Sequence, residues 1–193
     1  MDKGYKSLID IGTGWGEVPK KVKGLKPDMR IVGIDIAKTY IDEAKNDPTL
    51  LNIMDMVRNP DLIYDTSFGV HFEVGDARKM KYKDKSFDMA FTCGTLIHIP
   101  KKEIKKTVRE ILRVAKHALF IESSVHLPGT RKMKYDPKSY WTLRAKRRYK
   151  NNSDDEIRYY FAHDYPKVFK ELGLKHKVIR TFDKKTNTKA YLI

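Results

Sequence analysis

The chain has 193 residues, 40% of them hydrophobic, and its 40 Lys and Arg against 25 Asp and Glu give a net charge of +15. This length suits one domain, 1–193, with its own core, and the composition excludes a disordered chain. No apolar run approaches the roughly 20 residues of a membrane-spanning helix, so no membrane partner is expected. The opening residues lack the apolar stretch of a secretory leader, and Cys93 has no second cysteine to pair with. The expected setting is therefore reducing and cytoplasmic. The excess charge has two readings: an anionic partner, or a solvated basic surface.

Strand-like and helix-like segments alternate along the chain, which argues for an α/β fold. "SLIDI" (7–11) reads as a first strand buried on both faces, and "GEVPKKVKGL" as a short helix that tolerates Pro19 in its first turn. "RIVGIDI" (30–36) is the second strand and "KTYIDEAKN" the second helix. Strands three and four follow at 69–76 and 86–94, and residues 101–116 carry the clearest amphipathic pattern. "HALFIESS" (117–124) is the fifth strand. "DYPKVFKELGL" (164–174) is a helix with Asp164 as N-cap and Gly173 as C-cap. "KHKVIRTF" and "KAYLI" are too close together for a crossover helix, so they form a hairpin. Two stretches, 48–68 and 125–156, interrupt this rhythm and read as insertions on the single domain.

The segment "DIGTGWGEV" places Gly12, Gly14 and Gly16 between the first strand and the first helix. Glycines there permit a tight turn and keep side chains away from a ligand at a helix N-terminus. Asp35 stands 19 residues after Gly16, at the end of strand two, where a carboxylate accepts both hydroxyls of a ribose. The dinucleotide pattern G-x-G-x-x-G fails, because its third glycine would fall on Glu17 or Pro19.

What stands instead, D-x-G-x-G-x-G from Asp10 to Gly16, resembles motif I of the class I S-adenosylmethionine-dependent methyltransferases. "VGDARKM", "FDMAFTCGTLIHIP" and "VREILRVAKHALFIES" are similar to that family's later motifs, in the same order. The resemblance spans about residues 7–193. It implies a Rossmann-like, seven-stranded, mostly parallel sheet in the order 3-2-1-4-5-7-6, with strand seven antiparallel. It implies S-adenosyl-L-methionine as cofactor. Asp10 would lie near the methionine amino group and Asp35 and Ile36 at the ribose end. Asp76 and Ala77 would lie at the adenine, Cys93 beside the cofactor, and Gly12, Gly14 and Gly16 beneath it. One departure is "AKH" where the family has Pro-Gly-Gly before strand five, so that turn must be built differently.

Methyl transfer needs an acceptor held in line and one proton managed. His98, just beyond strand four, is the leading base; its bland reading is a ring that packs the turn before Pro100. Glu122 and His126 follow strand five as further catalytic candidates. Cys93 lacks the neighbouring proline of cysteine-using RNA methyltransferases and reads as a small residue near the cofactor. No cluster has metal-ligand spacing. Residues 126–150 carry nine Lys or Arg with interleaved aromatics, and Arg144, Arg147 and Trp141 are candidate acceptor contacts on what is otherwise a solvated amphipathic face. The expected activity is methylation of oxygen or nitrogen on a small or sugar-like, anionic-leaning acceptor. Alternatives are an RNA acceptor and a catalytically silent cofactor-binding partner subunit.

Overall fold

The computed structural model describes residues 4–46, 69–123, 161, 163–183 and 188–193. The elements in chain order are β1 (Ser7–Ile11), α1 (Glu17–Leu25), β2 (Arg30–Asp35), α2 (Lys38–Asn46), β3 (His71–Val74) and β4 (Phe87–Cys93). A short 3-10 turn (Leu96–His98) leads to α3 (Ile104–Val114) and β5 (Ala115–Ser123), then α4 (Tyr165–Glu171), β6 (Lys177–Asp183) and β7 (Thr188–Leu192). The expected insertions at 48–68 and 125–156 lie outside the described residues, as do His126, Trp141, Arg144 and Arg147.

One sheet runs β3-β2-β1-β4-β5-β7-β6, the expected order. β1 pairs parallel with both β2 and β4, and β4 pairs parallel with β5. β7 is antiparallel to β5 and β6. The parallel strands therefore present their C-terminal ends at one edge. The chain moves outward from β1 in opposite directions to β2 and β4, which opens a crevice there.

Alternation along each strand feeds two apolar layers. Ile9 and Ile11 of β1 join Phe87, Val108, Ile111, Phe120 and Phe169 on one face. Leu8 joins Ile31, Ile41, Ala44 and Phe72 on the other. All five residues of β1 are buried, as a strand covered by helices on both sides requires. Each fully buried Phe, Ile or Leu contributes about 1.5–3 kcal/mol of transfer free energy.

Two local outcomes differ from the sequence expectation. The amphipathic helix stops at Val114, and residues 115–117 are already β5. The "AKH" segment builds no turn. The Ala115 N–H still bonds to Ile111 O, its backbone is extended at φ −124°, and the chain passes directly from helix to strand. Lys116 is held in place by Asp88 at 2.8 Å. The C-terminus of α4, by contrast, follows expectation. Gly173 takes φ +69°, its N–H bonds to Lys170 O, and the Leu174 N–H bonds to Phe169 O, closing a Schellman motif. Asp164 caps the other end by accepting from the Lys167 N–H at 3.1 Å.

Candidate functional site

The C-terminal edge of the parallel strands gathers Asp10, Asp35, Cys93 and Glu122 from four different strands. The loop after β1 is fixed by the Gly12 and Thr13 N–H groups, both bonded to Ile34 O at 2.8 and 2.9 Å. Gly12 has φ +72°, and a side chain there would run into Thr95. Gly14 has φ +54°, and nothing lies within 4 Å of where its Cβ would stand. The same holds for Gly94, at the end of β4. The loop is thus packed from below at Gly12 and bare above at Gly14.

Asp35 is buried, and its two carboxylate oxygens are held apart by backbone donors. The Gly14 N–H donates to Oδ2 at 2.9 Å and the Ala37 N–H to Oδ1 at 2.9 Å. The next residue, Ile36, is 66% exposed. Val74, at the end of neighbouring β3, is 53% exposed.

Asp10 is also buried, and Oδ2 accepts from the Thr13 hydroxyl at 2.7 Å. Burial pushes its carboxyl up to about 7; the Asp35 charge adds to this and the Thr13 bond opposes it. Such a group is primed to receive a cation, whose charge would relieve its desolvation. Cys93 is exposed, but partial burial of its sulfur, then the charges of Glu122 and Asp10, push the thiol up to about 11. A thiol so far above neutrality is a poor nucleophile, in keeping with its reading as a small neighbouring residue.

Asp76 is engaged more firmly than its sequence reading anticipates. Arg78 grips it through Nε and Nη2, at 2.7–3.0 Å, while its own N–H donates to Oδ1 at 2.8 Å. These bonds hold the Asp76 carboxyl below its usual range. Ala77 beside it is buried.

Glu122 is fully buried rather than facing open space. Its Oε1 accepts from the Thr92 hydroxyl at 2.7 Å and the Thr95 N–H at 3.1 Å, and Oε2 accepts from the Leu96 N–H at 3.2 Å. Burial pushes it up to about 7 against the pull of these donors. His98 sits at the end of the turn that Glu122 anchors, with its side chain exposed. The far side of that turn is tied down by the Phe161 N–H to Ile97 O at 2.6 Å and by His163 Nε2 against Ile99 O at 2.9 Å. Sequence reasoning did not single out Thr13 or Thr95. The signal available for Thr95 was a hydroxyl residue directly after the glycine that ends a strand, a favoured place for side-chain to backbone bonding.

A family model described as a methyltransferase domain matches residues 8–118, more than half of the chain. The chain belongs to the class I S-adenosylmethionine-dependent methyltransferases. Ajmaline N-methyltransferase of Rauvolfia serpentina is 28% identical to it over 127 residues, 65% of this chain and 38% of that enzyme. Norajmaline N-methyltransferase of the same plant is 46% identical over 46 residues, 24% of this chain and 15% of that enzyme. The chain thus spans well under half the length of these relatives. A solved protein of Pyrococcus horikoshii OT3 superimposes with a TM-score of 0.59 at 17% identity, covering 96% of this chain and 79% of that one. A SAM-dependent methyltransferase of Methanosarcina mazei superimposes with a TM-score of 0.55 at 18% identity, covering 96% and 89%. Both likenesses are likenesses of fold. The family's cofactor is S-adenosyl-L-methionine, and the residues of this methyltransferase fold fit it. The open faces of Gly14 and Gly94 leave room for a ligand along the edge that also carries the buried carboxyls of Asp35 and Asp10, groups of the type that meet ribose hydroxyls and an ammonium.

Among the described residues, no helix is long and apolar enough to cross a membrane.

Proposed function

We propose that the chain transfers a methyl group from S-adenosyl-L-methionine to a nitrogen or oxygen of a small-molecule acceptor, with an amine favoured. The observation that carries the cofactor half is the Gly14–Asp35 bond beside two bare glycine faces, at the crevice between β1, β2 and β4. The amine preference rests on similarity to two enzymes named as N-methyltransferases of ajmaline and norajmaline. The net charge of +15 supports an acceptor bearing anionic groups, with RNA as the second reading.

When bound, S-adenosyl-L-methionine supplies an electrophilic methyl group on a sulfonium. In this reading Asp35 accepts from the ribose hydroxyls and Asp10 receives the ammonium of the methionine moiety. Ile36 and Val74 cover one side of the adenine, and Asp76 and Ala77 hold its edge. The loop Gly12–Gly14–Gly16 lets the backbone approach, and Cys93 contributes a small uncharged neighbour. His98 removes one proton from the acceptor nitrogen or oxygen, at an imidazole nitrogen, and its exposed side chain releases that proton to solvent. His126 remains the further catalytic candidate beyond strand five, whereas the buried Glu122 is out of an acceptor's reach. Arg144, Arg147 and Trp141 are proposed to bind the acceptor.

Calorimetry of the purified chain with S-adenosylhomocysteine and with NAD tests the cofactor half. Binding of S-adenosylhomocysteine and none of comparable strength with NAD is expected; the reverse overturns it. Transfer of labelled methyl into a pool of small amines and alcohols, set against bulk RNA, tests the acceptor half. Label entering RNA alone overturns the small-molecule reading. Cofactor binding without transfer to either pool would identify a silent partner subunit.

A further inference from the structure

We infer that Glu122 is a positioning residue that couples the turn carrying His98 to the glycine loop, acting through Thr95. This rests on the reading of the strand edge as the cofactor site.

Glu122 is fully buried at the end of β5, so an acceptor in the crevice does not touch it. Its oxygens instead meet the first two amides of the 3-10 turn, Thr95 N–H and Leu96 N–H. These are the groups a helical turn leaves without internal partners. The carboxyl oxygens of a residue on another strand supply those partners. Filling space would not require this residue, because burying a carboxylate costs several kcal/mol unless donors converge on it. Here three do.

Thr95 then carries the restraint across the crevice. Its backbone is held by Glu122, while its hydroxyl donates to Ile11 O at 2.9 Å. Its side chain fills the space that Gly12 leaves by having none. Ile11 O and Gly12 are the first backbone groups of the loop whose Gly14 N–H meets Asp35. A continuous chain of bonds therefore runs from β5 through the turn after β4 to the loop after β1. Gly94 N–H to Ile121 O, at 2.9 Å, keeps the turn in register with β5. Loss of Glu122 frees Thr95 to move, and Gly12 loses the surface that sets its position.

The test compares Glu122→Ala, Glu122→Gln, Thr95→Val and Thr95→Ser with the wild-type chain. S-adenosylhomocysteine affinity is measured by calorimetry well below the melting temperature. Backbone amide shifts of Gly12, Thr13 and Gly14 are recorded on the ligand-free protein. Glu122→Ala should weaken binding about ten-fold, the scale of one lost bond to a charged group, and Thr95→Val several-fold, the scale of one lost neutral hydrogen bond. The double variant should be no worse than the worse single, since both break one chain. Thr95→Ser, which keeps the hydroxyl, should stay within about three-fold of wild type, and Glu122→Gln, which keeps one acceptor oxygen but turns an amide NH2 toward another donor, should fall between wild type and Glu122→Ala. The Gly12 and Thr13 amides should shift in the two disruptive variants. If Glu122→Ala does not fold, the Thr95 pair and Glu122→Gln decide the matter by the same criteria. A lowered melting temperature with unchanged affinity and unchanged loop amides would make Glu122 a fold-stabilising residue only and overturn the inference. Absence of S-adenosylhomocysteine binding by the wild type would overturn the cofactor reading instead; the loop amides of the ligand-free variants would still decide the coupling.

Discussion

The backbone N–H of Gly14 donates to Oδ2 of Asp35 at 2.9 Å, joining the loop after β1 to the end of β2. One carboxylate thus helps to order the glycine loop, and in the proposed reading the same carboxylate meets the ribose. Asp35→Ala should weaken S-adenosylhomocysteine binding by about 1.5–3 kcal/mol, the range for a hydrogen bond to a charged group. Asp35→Asn should lose less, because one acceptor oxygen remains. Calorimetry on folded variants measures both; unchanged affinity in Asp35→Ala would mean that the ribose lies elsewhere.

The two buried carboxyls each contribute a pH response opposite in sign to that of a surface carboxyl held by a cation, such as Asp76. Asp10 and Glu122 are both pushed up to about 7, from ordinary values of 3.8 and 4.5, with burial the largest cause. Each holds its proton more tightly folded than unfolded. The stability each contributes is complete below about pH 4 and is lost as pH rises through about 7. His163, lowered by burial, acts in the opposite sense by losing stability as pH falls. The decisive quantity is therefore the difference between Asp10→Asn and wild type. The melting temperature of the variant, relative to wild type, should rise as pH goes from 5 to 8. A difference that does not change with pH would show that Asp10 ionises in the folded chain at its ordinary value.

Cys93 should alkylate slowly. Raising its thiol from 9.0 to about 11 cuts the thiolate fraction at pH 8 by about 100-fold. The greater nucleophilicity of a more basic thiolate recovers about ten-fold of that. Iodoacetamide should therefore react about ten-fold more slowly than with a free cysteine at pH 8. A rate at or above that of free cysteine would reveal an activated thiol.

Gly12→Ala and Gly14→Ala should separate packing from ligand contact. Both backbones are left-handed, at φ +72° and +54°, so each variant pays about 1–2 kcal/mol of strain. Only at Gly12 does the new methyl also displace Thr95. Urea unfolding should show Gly12→Ala as the less stable of the two. Calorimetry should show that Gly14→Ala loses more affinity than its stability change accounts for. Equal stabilities would argue that Thr95 gives way freely.

His98→Ala, assayed by labelled methyl transfer to an acceptor from the amine pool, should lower turnover by about 10²–10⁴-fold. Cofactor affinity should hold, and the pH–rate profile should lose its inflection in the histidine range. A near-normal rate would return His98 to a purely structural part of the turn.

The strands and the glycine loop were legible in the sequence because each leaves a local mark: period-two or continuous apolar runs mark strands, and glycines mark positive φ. The order of the strands came from the resemblance to the family, since no local pattern carries it. The ends of α4 were legible for the same reason: Asp164 and Gly173 act within a few residues of themselves. What the sequence did not determine are bonds between residues far apart in the chain. Glu122 looked like a candidate at an open pocket, yet only folding brings the amides of Thr95 and Leu96 to it from 27 and 26 residues away. Thr95 meets Ile11 across 84 residues. Arg78 meets Glu103 across 25 residues. Local sequence sets backbone preference and which face is apolar. Which donor satisfies a buried carboxylate is set by the packing of strands against one another, because desolvation makes partnership obligatory only after the core has closed.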